Sequence, residues 1–288
     1  MIFEAMSTSL EDYVEKIGVR IDGVEMKMIT WQMFRAQYHL TRMSILHRDI
    51  KPANILLNPD SGLAILSDFG SAIINAKKYA MESYMITRHY RPPELLLGAK
   101  HYDKGVDVWK AGCVLAELLK GDIFLAGTSE KHQLQLVMEL LGAPTVQDRD
   151  AMGCNEAAFL CTPMPVNRQK SGIADFKYMT DEEWKSSDDP MTTTFNTLIG
   201  KKDMKAAVAI LRRVMVYNPS KRLCGLYMLI DPFFKILFEP TTRRLNGDSI
   251  RCVSTKDLEM VKLGDKTITA FYLAMIFELM TTSLEDHL

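Results

Sequence analysis

The sequence predicts an α+β fold that is mainly helical and carries small β-hairpins. Apolar residues recur every three or four positions before residue 45 and again beyond residue 105, which is helical spacing. Two short apolar runs between residues 55 and 66 flank a cluster of turn formers, and a second pair of runs flanks Gly264-Asp265-Lys266.

Met26, Ile29, Met33, Ala36 and Leu40 are spaced 3, 4, 3, 4, which places them on one face of a helix that packs into a core. Ile55-Leu56-Leu57 and Leu63-Ala64-Ile65-Leu66 read as paired strands, because Asn58-Pro59-Asp60-Ser61-Gly62 between them supplies Pro, Asp and Gly for a turn. Val106 to Leu119 and His132 to Leu141 are helical, the latter stopped by Gly142 and Pro144. Residues 153 to 203, rich in Pro, Ser, Thr and Asp with weak periodicity, read as a long loop or insert. Helices resume from Met204, with Ala206 to Val216 the strongest run. Asn218-Pro219-Ser220 makes a turn and a fresh helix start ahead of Asp231-Pro232-Phe233-Phe234. Leu258 to Leu263 and Phe271 to Met280 are predicted to be the strands of a second hairpin.

The 288 residues are 47% apolar and 25% charged, with 35 basic against 36 acidic side chains. That composition suits one large or two smaller globular domains and disfavours disorder, collagen and a nucleic-acid-directed surface. Cys113, Cys154, Cys161, Cys224 and Cys252 are scattered without Cys-x-x-Cys spacing, so reduced packing thiols are expected and zinc is not. Met1 to Met6 has an acid inside a very short apolar run and no basic start, unlike a signal peptide. Phe271 to Met280 is interrupted by Glu278 and is far shorter than the ~20 residues of a membrane span. An intracellular protein is expected, cytoplasmic or nuclear, with no membrane partner.

One internal repeat stands out. Met1 to Val14 (MIFEAMSTSLEDYV) and Met275 to Leu288 (MIFELMTTSLEDHL) agree at ten of fourteen positions, at an offset of 274 residues that excludes a solenoid period.

The densest chemistry lies in His47-Arg48-Asp49-Ile50-Lys51-Pro52-Ala53-Asn54, followed after the hairpin by Asp68-Phe69-Gly70. Phosphoryl transfer from a nucleotide needs a carboxylate to orient and deprotonate the attacking hydroxyl, and hard oxygen ligands for magnesium on the phosphates. Asp49 fits the first role, Lys51 can place a cation beside the transferred group, and Asn54 with Asp68 can ligate the metal. Any one of these residues alone would be read as a solvated turn residue or a cap. Their joint spacing resembles the catalytic loop and metal-binding loop of eukaryotic protein kinases.

The resemblance continues along the chain. Ser83-Tyr84 through Arg88-His89-Tyr90-Arg91-Pro92-Pro93-Glu94 is similar to the end of a kinase activation segment, and Asp107-Val108-Trp109-Lys110-Ala111-Gly112 to the helix that follows. Arg222 in Asn-Pro-Ser-Lys-Arg-Leu resembles the buried arginine that pairs with the glutamate of that segment, so an ion pair of Glu94 with Arg222 is implied, structural and not catalytic. Asp68 to Ala72, Leu141-Gly142-Ala143-Pro144-Thr145 and Arg244-Leu245-Asn246-Gly247 look like the glycogen synthase kinase 3-like members of the CMGC group. The resemblance implies a kinase-like fold, ATP and Mg2+ as cofactors, and transfer of the ATP gamma-phosphate to Ser or Thr of a protein substrate. It also implies docking proteins on the large lobe, a regulatory phosphotyrosine at Tyr84, and a phosphate-facing role for Arg48. Position 73 is Ile where that group has Lys, so recognition of a pre-phosphorylated substrate does not carry over residue by residue unless Lys77 or Lys78 takes that lysine's place.

By the same resemblance, residues 1–14 are the last strand and hinge of the small N-terminal lobe, with Phe3 at the gatekeeper position and Glu4 and Met6 facing adenine. Residues 15–248 are the C-terminal lobe, containing the 153–203 insert. Residues 249–288 are a partial second small lobe with two strands and a repeated hinge. No Gly-x-Gly-x-x-Gly or Val-Ala-x-Lys occurs in the sequence. The expectation is therefore a kinase whose small lobe is largely missing, weak or inactive as written. A pseudokinase-like scaffold and a swapped arrangement of residues 252–288 are the alternatives.

Overall fold

The computed structural model describes residues 6–18, 21–74, 87–154, 191 and 201–263. The chain divides into two compact units, residues 1–76 with 224–288, and residues 77–223.

In the first unit, β1 (Thr8–Ser9) leads directly into α1 (Leu10–Ile17). Ser9 caps α1 by accepting from the Asp12 amide, Leu10 is buried, and Gly18 closes the helix at φ 59. α2 (Gly23–Arg42) starts at Asp22, whose side chain accepts from the Val24 amide at 2.8 Å, and ends with His39 and Arg42 in its last turn. The periodic residues give a helix here, but burial exceeds the single expected face: every residue from Glu25 to Phe34 is buried. The polar ones are tolerated because they are satisfied. The Thr30 hydroxyl donates to Met26 O at 2.8 Å, and the Lys27 ammonium lies 5.0 Å from the centre of the Phe233 ring.

β3 (Ile55–Asn58) and β4 (Leu63–Leu66) form the expected antiparallel hairpin, closed by the Gly62 amide donating to Asn58 O at 2.8 Å with Gly62 at φ 75. β1 adds to its outer side in the order β1-β3-β4. β2 (Ile45–Leu46) pairs with β5 (Ile73–Ile74) in a second small sheet. Behind α2 lie residues 225–238: Trp31 donates to Leu229 O at 3.0 Å and meets Phe238 edge-on.

The second unit holds α3 (Pro93–Leu96), α4 (Gly105–Lys120), α5 (Glu130–Leu141), α6 (Val146–Met152) and α7 (Lys201–Val214). α4 is its centre, buried almost all round. A side chain at Gly112 would bring its Cβ to 2.6 Å from a Val214 methyl, so glycine is what lets α4 and α7 approach. Sequence spacing missed α6, although Thr145-x-x-Asp148 forms a full capping box there. α7 begins at Lys201 and not at Met204, and it ends at Val214.

α8 (Gly225–Leu229) and α9 (Thr255–Leu263) complete the first unit. α9 corrects the strand expected over Leu258 to Leu263. Ser254 accepts from the Asp257 amide at 3.3 Å while the Asp257 carboxylate accepts from the Ser254 amide at 2.9 Å, a reciprocal cap that starts a helix. Leu258 and Val261 are three apart and share a helical face, so this short apolar run follows a helical and not a strand period. The partner run Phe271 to Met280, the second repeat copy and nearly all of the 153–203 insert lie outside the described residues. Among the described residues no helix is long and apolar enough to cross a membrane.

Candidate active site

The residues expected to form a catalytic loop converge in the first unit. After β2 the chain passes through His47-Arg48-Asp49 and then the single turn Pro52–Asn54, whose proline fixes its first position. The Asp49 carboxylate accepts from the Lys51 ammonium at 2.7 Å and from the Asn54 amide at 2.9 Å, and Asn54 also donates to Asp49 O at 2.8 Å. Both Asn54 donor contacts are therefore spent on Asp49, which leaves Asn54 Oδ1 as the group available to an external cation.

Asp68 stands at the other foot of the hairpin, and Ser67 ties the two feet together. The Ser67 amide and hydroxyl both donate to Asn54 O, at 2.9 and 3.0 Å. His47, fully buried, completes the frame: its Nδ1 accepts from the Asp49 amide at 3.3 Å, so Nε2 carries the proton and donates to Ser67 O at 3.0 Å. The same ring packs edge-on against Phe69 at 4.8 Å. Asp68 is exposed, with its carboxylate accepting only the Gly70 amide at 3.2 Å among the contacts described.

Two residues of this site hold left-handed backbone: Arg48 at φ 66 and Asp68 at φ 60. Each conformation costs a non-glycine residue about 1–2 kcal/mol, a strain typical of sites where side-chain direction matters. Arg48 turns its Nε to Ser71 O at 2.5 Å, linking the loop that carries Asp49 to the segment after Asp68.

An exposed carboxylate and a carboxamide oxygen are hard donors that suit magnesium, which takes one or two protein oxygens and draws its remaining ligands from phosphate and water. These two residues thus fit the metal. Among the described residues no group of three or more His, Cys, Asp or Glu side chains could hold a metal by itself.

The other expected site residues are distributed as follows. Met6 is half-buried just ahead of β1, while Phe3, Glu4 and Tyr84 lie outside the described residues. In the second unit, Arg88 donates to Thr128 O at 3.0 Å and Arg91 pairs with Glu130. Asp107 is buried in the first turn of α4. Glu94 and Arg222 form a bidentate pair at 2.7 and 2.6 Å. Arg222 also donates to Gly105 O, Val216 O and Tyr217 O and lies over the Trp109 ring. Sequence reasoning assigned nothing to His47 and Ser67, although His47 sits inside the quoted motif.

The protein kinase domain family matches residues 1–234 of the 288. The chain belongs to the protein kinase family. This kinase is 33% identical over 231 residues to "Glycogen synthase kinase 1" of Pyricularia oryzae, covering 80% of this chain and 52% of that protein. It is 34% identical over 237 residues to "Cell division control protein 2 homolog 3" of Trypanosoma brucei brucei, covering 81% of this chain and 68% of that protein. The kinase therefore spans about half the length of the first relative and about two thirds of the second. Both relatives are CMGC kinases, in line with the group that the motifs resemble.

Proposed function

We propose that this kinase carries the phosphoryl-transfer loop of a Ser/Thr protein kinase of the CMGC type. The observation that supports it most is the hydrogen-bonded set Asp49, Lys51 and Asn54, joined through Ser67 to Asp68. Asp49 orients the substrate hydroxyl and takes its proton as the hydroxyl oxygen bonds to the gamma-phosphorus. The bond from that phosphorus to the bridging oxygen breaks, and ADP leaves with the electron pair. Lys51, already against Asp49, supplies positive charge beside the moving phosphoryl group. Asn54 Oδ1 and the Asp68 carboxylate would hold magnesium, which when bound neutralises phosphate charge. Lys51 within the catalytic loop favours Ser and Thr acceptors, as the resemblance implies.

Residues 1–288 by themselves are expected to bind ATP weakly, because they contain neither a Gly-rich loop nor a Val-Ala-x-Lys strand. The test pairs a calorimetric titration of ATP and Mg2+ with radiolabel transfer to Ser, Thr and Tyr peptides, for the natural chain, Asp49→Asn and Asp68→Ala. Trace transfer to Ser or Thr that disappears in Asp49→Asn supports the reading. Transfer that survives Asp49→Asn sinks it, and micromolar ATP binding abolished by Asp68→Ala overturns the expected weakness.

A further inference from the structure

The carboxyl-terminal segment 239–263 lies beyond the residues matched by the kinase family, yet it grips the catalytic hairpin. Its central contact is Arg244. The Arg244 guanidinium donates to Asp60 O and Pro59 O, both at 2.6 Å, and so spans the turn between β3 and β4. On its other side it pairs with Glu25 of α2, Nε to Oε1 at 3.0 Å and Nη2 to Oε2 at 3.3 Å. Arg244 and Glu25 are each only 6% exposed, so the contact is made away from water.

The arginine is presented from a turn of its own. The Arg244 amide donates to Asp248 O and the Gly247 amide to Arg244 O, both at 2.9 Å. The fit at the hairpin is close: a Cβ on Gly62 would sit 3.1 Å from Arg244 Cζ and 2.7 Å from Met28 Cε. α2 adds a second grip, since Gln32 donates to Gly62 O at 3.0 Å and accepts from the Ala64 amide at 3.1 Å. Further along, the Asp257 carboxylate that caps α9 also binds Arg35 of α2 at 2.6 Å.

We propose that Arg244 is a positioning residue for the metal-binding feet of this hairpin, and that residues 239–263 act as a strap fastening hairpin to α2. The strands are only four residues long, roughly 10–14 Å at strand rise, so the turn and the feet at Asn54 and Asp68 move as one short lever. Fixing the turn to α2 restricts the tilt of that lever and hence the directions of Asn54 Oδ1 and the Asp68 carboxylate. The proposal rests on the reading of those two residues as metal ligands.

Arg244→Lys keeps a cation beside Glu25 but cannot span two carbonyls and a carboxylate in one plane. The test compares Arg244→Lys with the natural chain by amide exchange at Gly62 and Ser67, followed by NMR, and by titration with Mg2+ and ADP. Exchange at least about tenfold faster at both amides, with the global unfolding midpoint nearly unchanged, supports the strap. Weaker metal-nucleotide binding in the same variant supports the positioning role. Exchange that accelerates at Gly62 alone, or not at all, overturns the proposal. Arg243→Lys is the control, because Arg243 is exposed and, among the described residues, its guanidinium binds only Pro240 O and Thr242 O, and it should change neither amide. If Arg244→Lys does not fold, the Glu25→Gln/Arg244→Gln pair removes both charges and is read the same way. A natural chain that binds no Mg2+ and ADP at all refutes the proposed function, while Ser67 exchange still decides the strap.

Discussion

Replacing Arg222 with Met removes the guanidinium at the centre of the second unit and keeps a side chain of comparable bulk. Glu94 and Arg222 side chains are 1% and 0% exposed, so the substitution strands a carboxylate with no water to solvate it. Breaking a buried pair from one side costs about 3–5 kcal/mol. Gly105 O, Val216 O and Tyr217 O lose a donor as well, which places the change at the upper end of that range. Against a typical stability of about 5–15 kcal/mol this is a large share. At about 2–4 °C per kcal/mol for a chain of this size, the expected fall in Tm is on the order of 10 °C. Scanning calorimetry gives the midpoint, and hydrogen exchange of peptides from α4 locates the loss beside Trp109 and Gly105. Glu94→Gln/Arg222→Met should recover part of it, because no charge is then stranded. A Tm within about 2 °C of the natural chain, or a double variant worse than the single one, refutes the reasoning.

Asp257→Ala removes the carboxylate half of the reciprocal cap of α9 together with its bond to Arg35, so exchange across residues 255–263 should rise while β3 and β4 stay protected; unchanged protection across 255–263 counts against a role for that carboxylate. Trp31→Phe loses the bond to Leu229 O and should lower stability by about 1–3 kcal/mol in urea unfolding, where a change under about 0.5 kcal/mol contradicts it. Burial pushes the thiols of Cys113 and Cys154 up to about 12 and that of Cys252 up to about 11, and it raises the Tyr217 and Tyr13 hydroxyls. The unfolded chain ionises these groups first, so their contribution is intact below the ordinary thiol range of about 8.5 and is lost as pH climbs toward 11. A Tm that stays flat between pH 8.5 and about 11 contradicts this. Ile73 lies half-buried in β5 opposite Leu46 and offers no cation, so phosphate-primed and unprimed peptides should be turned over alike. A clear preference for the primed peptide would count against that expectation.

What the sequence made legible was local. Asp49, Lys51 and Asn54 sit within six residues, and the turn formers from Asn58 to Gly62 dictate how the chain comes back to Asp68. Spacing therefore carries most of the geometry of the site. Two kinds of information were harder to read. Leu258 to Leu263 is an apolar run short enough to suit a strand or a helix, and the deciding signal is Ser254-x-x-Asp257 ahead of it. Glu25 and Arg244 are 219 positions apart, and nothing in either neighbourhood announces the other. His47 was inside the motif, but its work of binding Ser67 O across the hairpin appears only when the two loops are side by side.

In the order β1-β3-β4 the last strand is an edge, and bare edges recruit other chains. Gln32 answers this with one side chain. A primary carboxamide carries the same donor and acceptor as a peptide group, and it meets Gly62 O and the Ala64 amide as one link of a neighbouring strand would. The chain thus closes the edge of this sheet with a helix side chain, which leaves no free peptide ladder at that point for a second molecule to add to. Glutamate at this position would keep the acceptor and lose the donor, so even a near-isosteric change would reopen half of the seam.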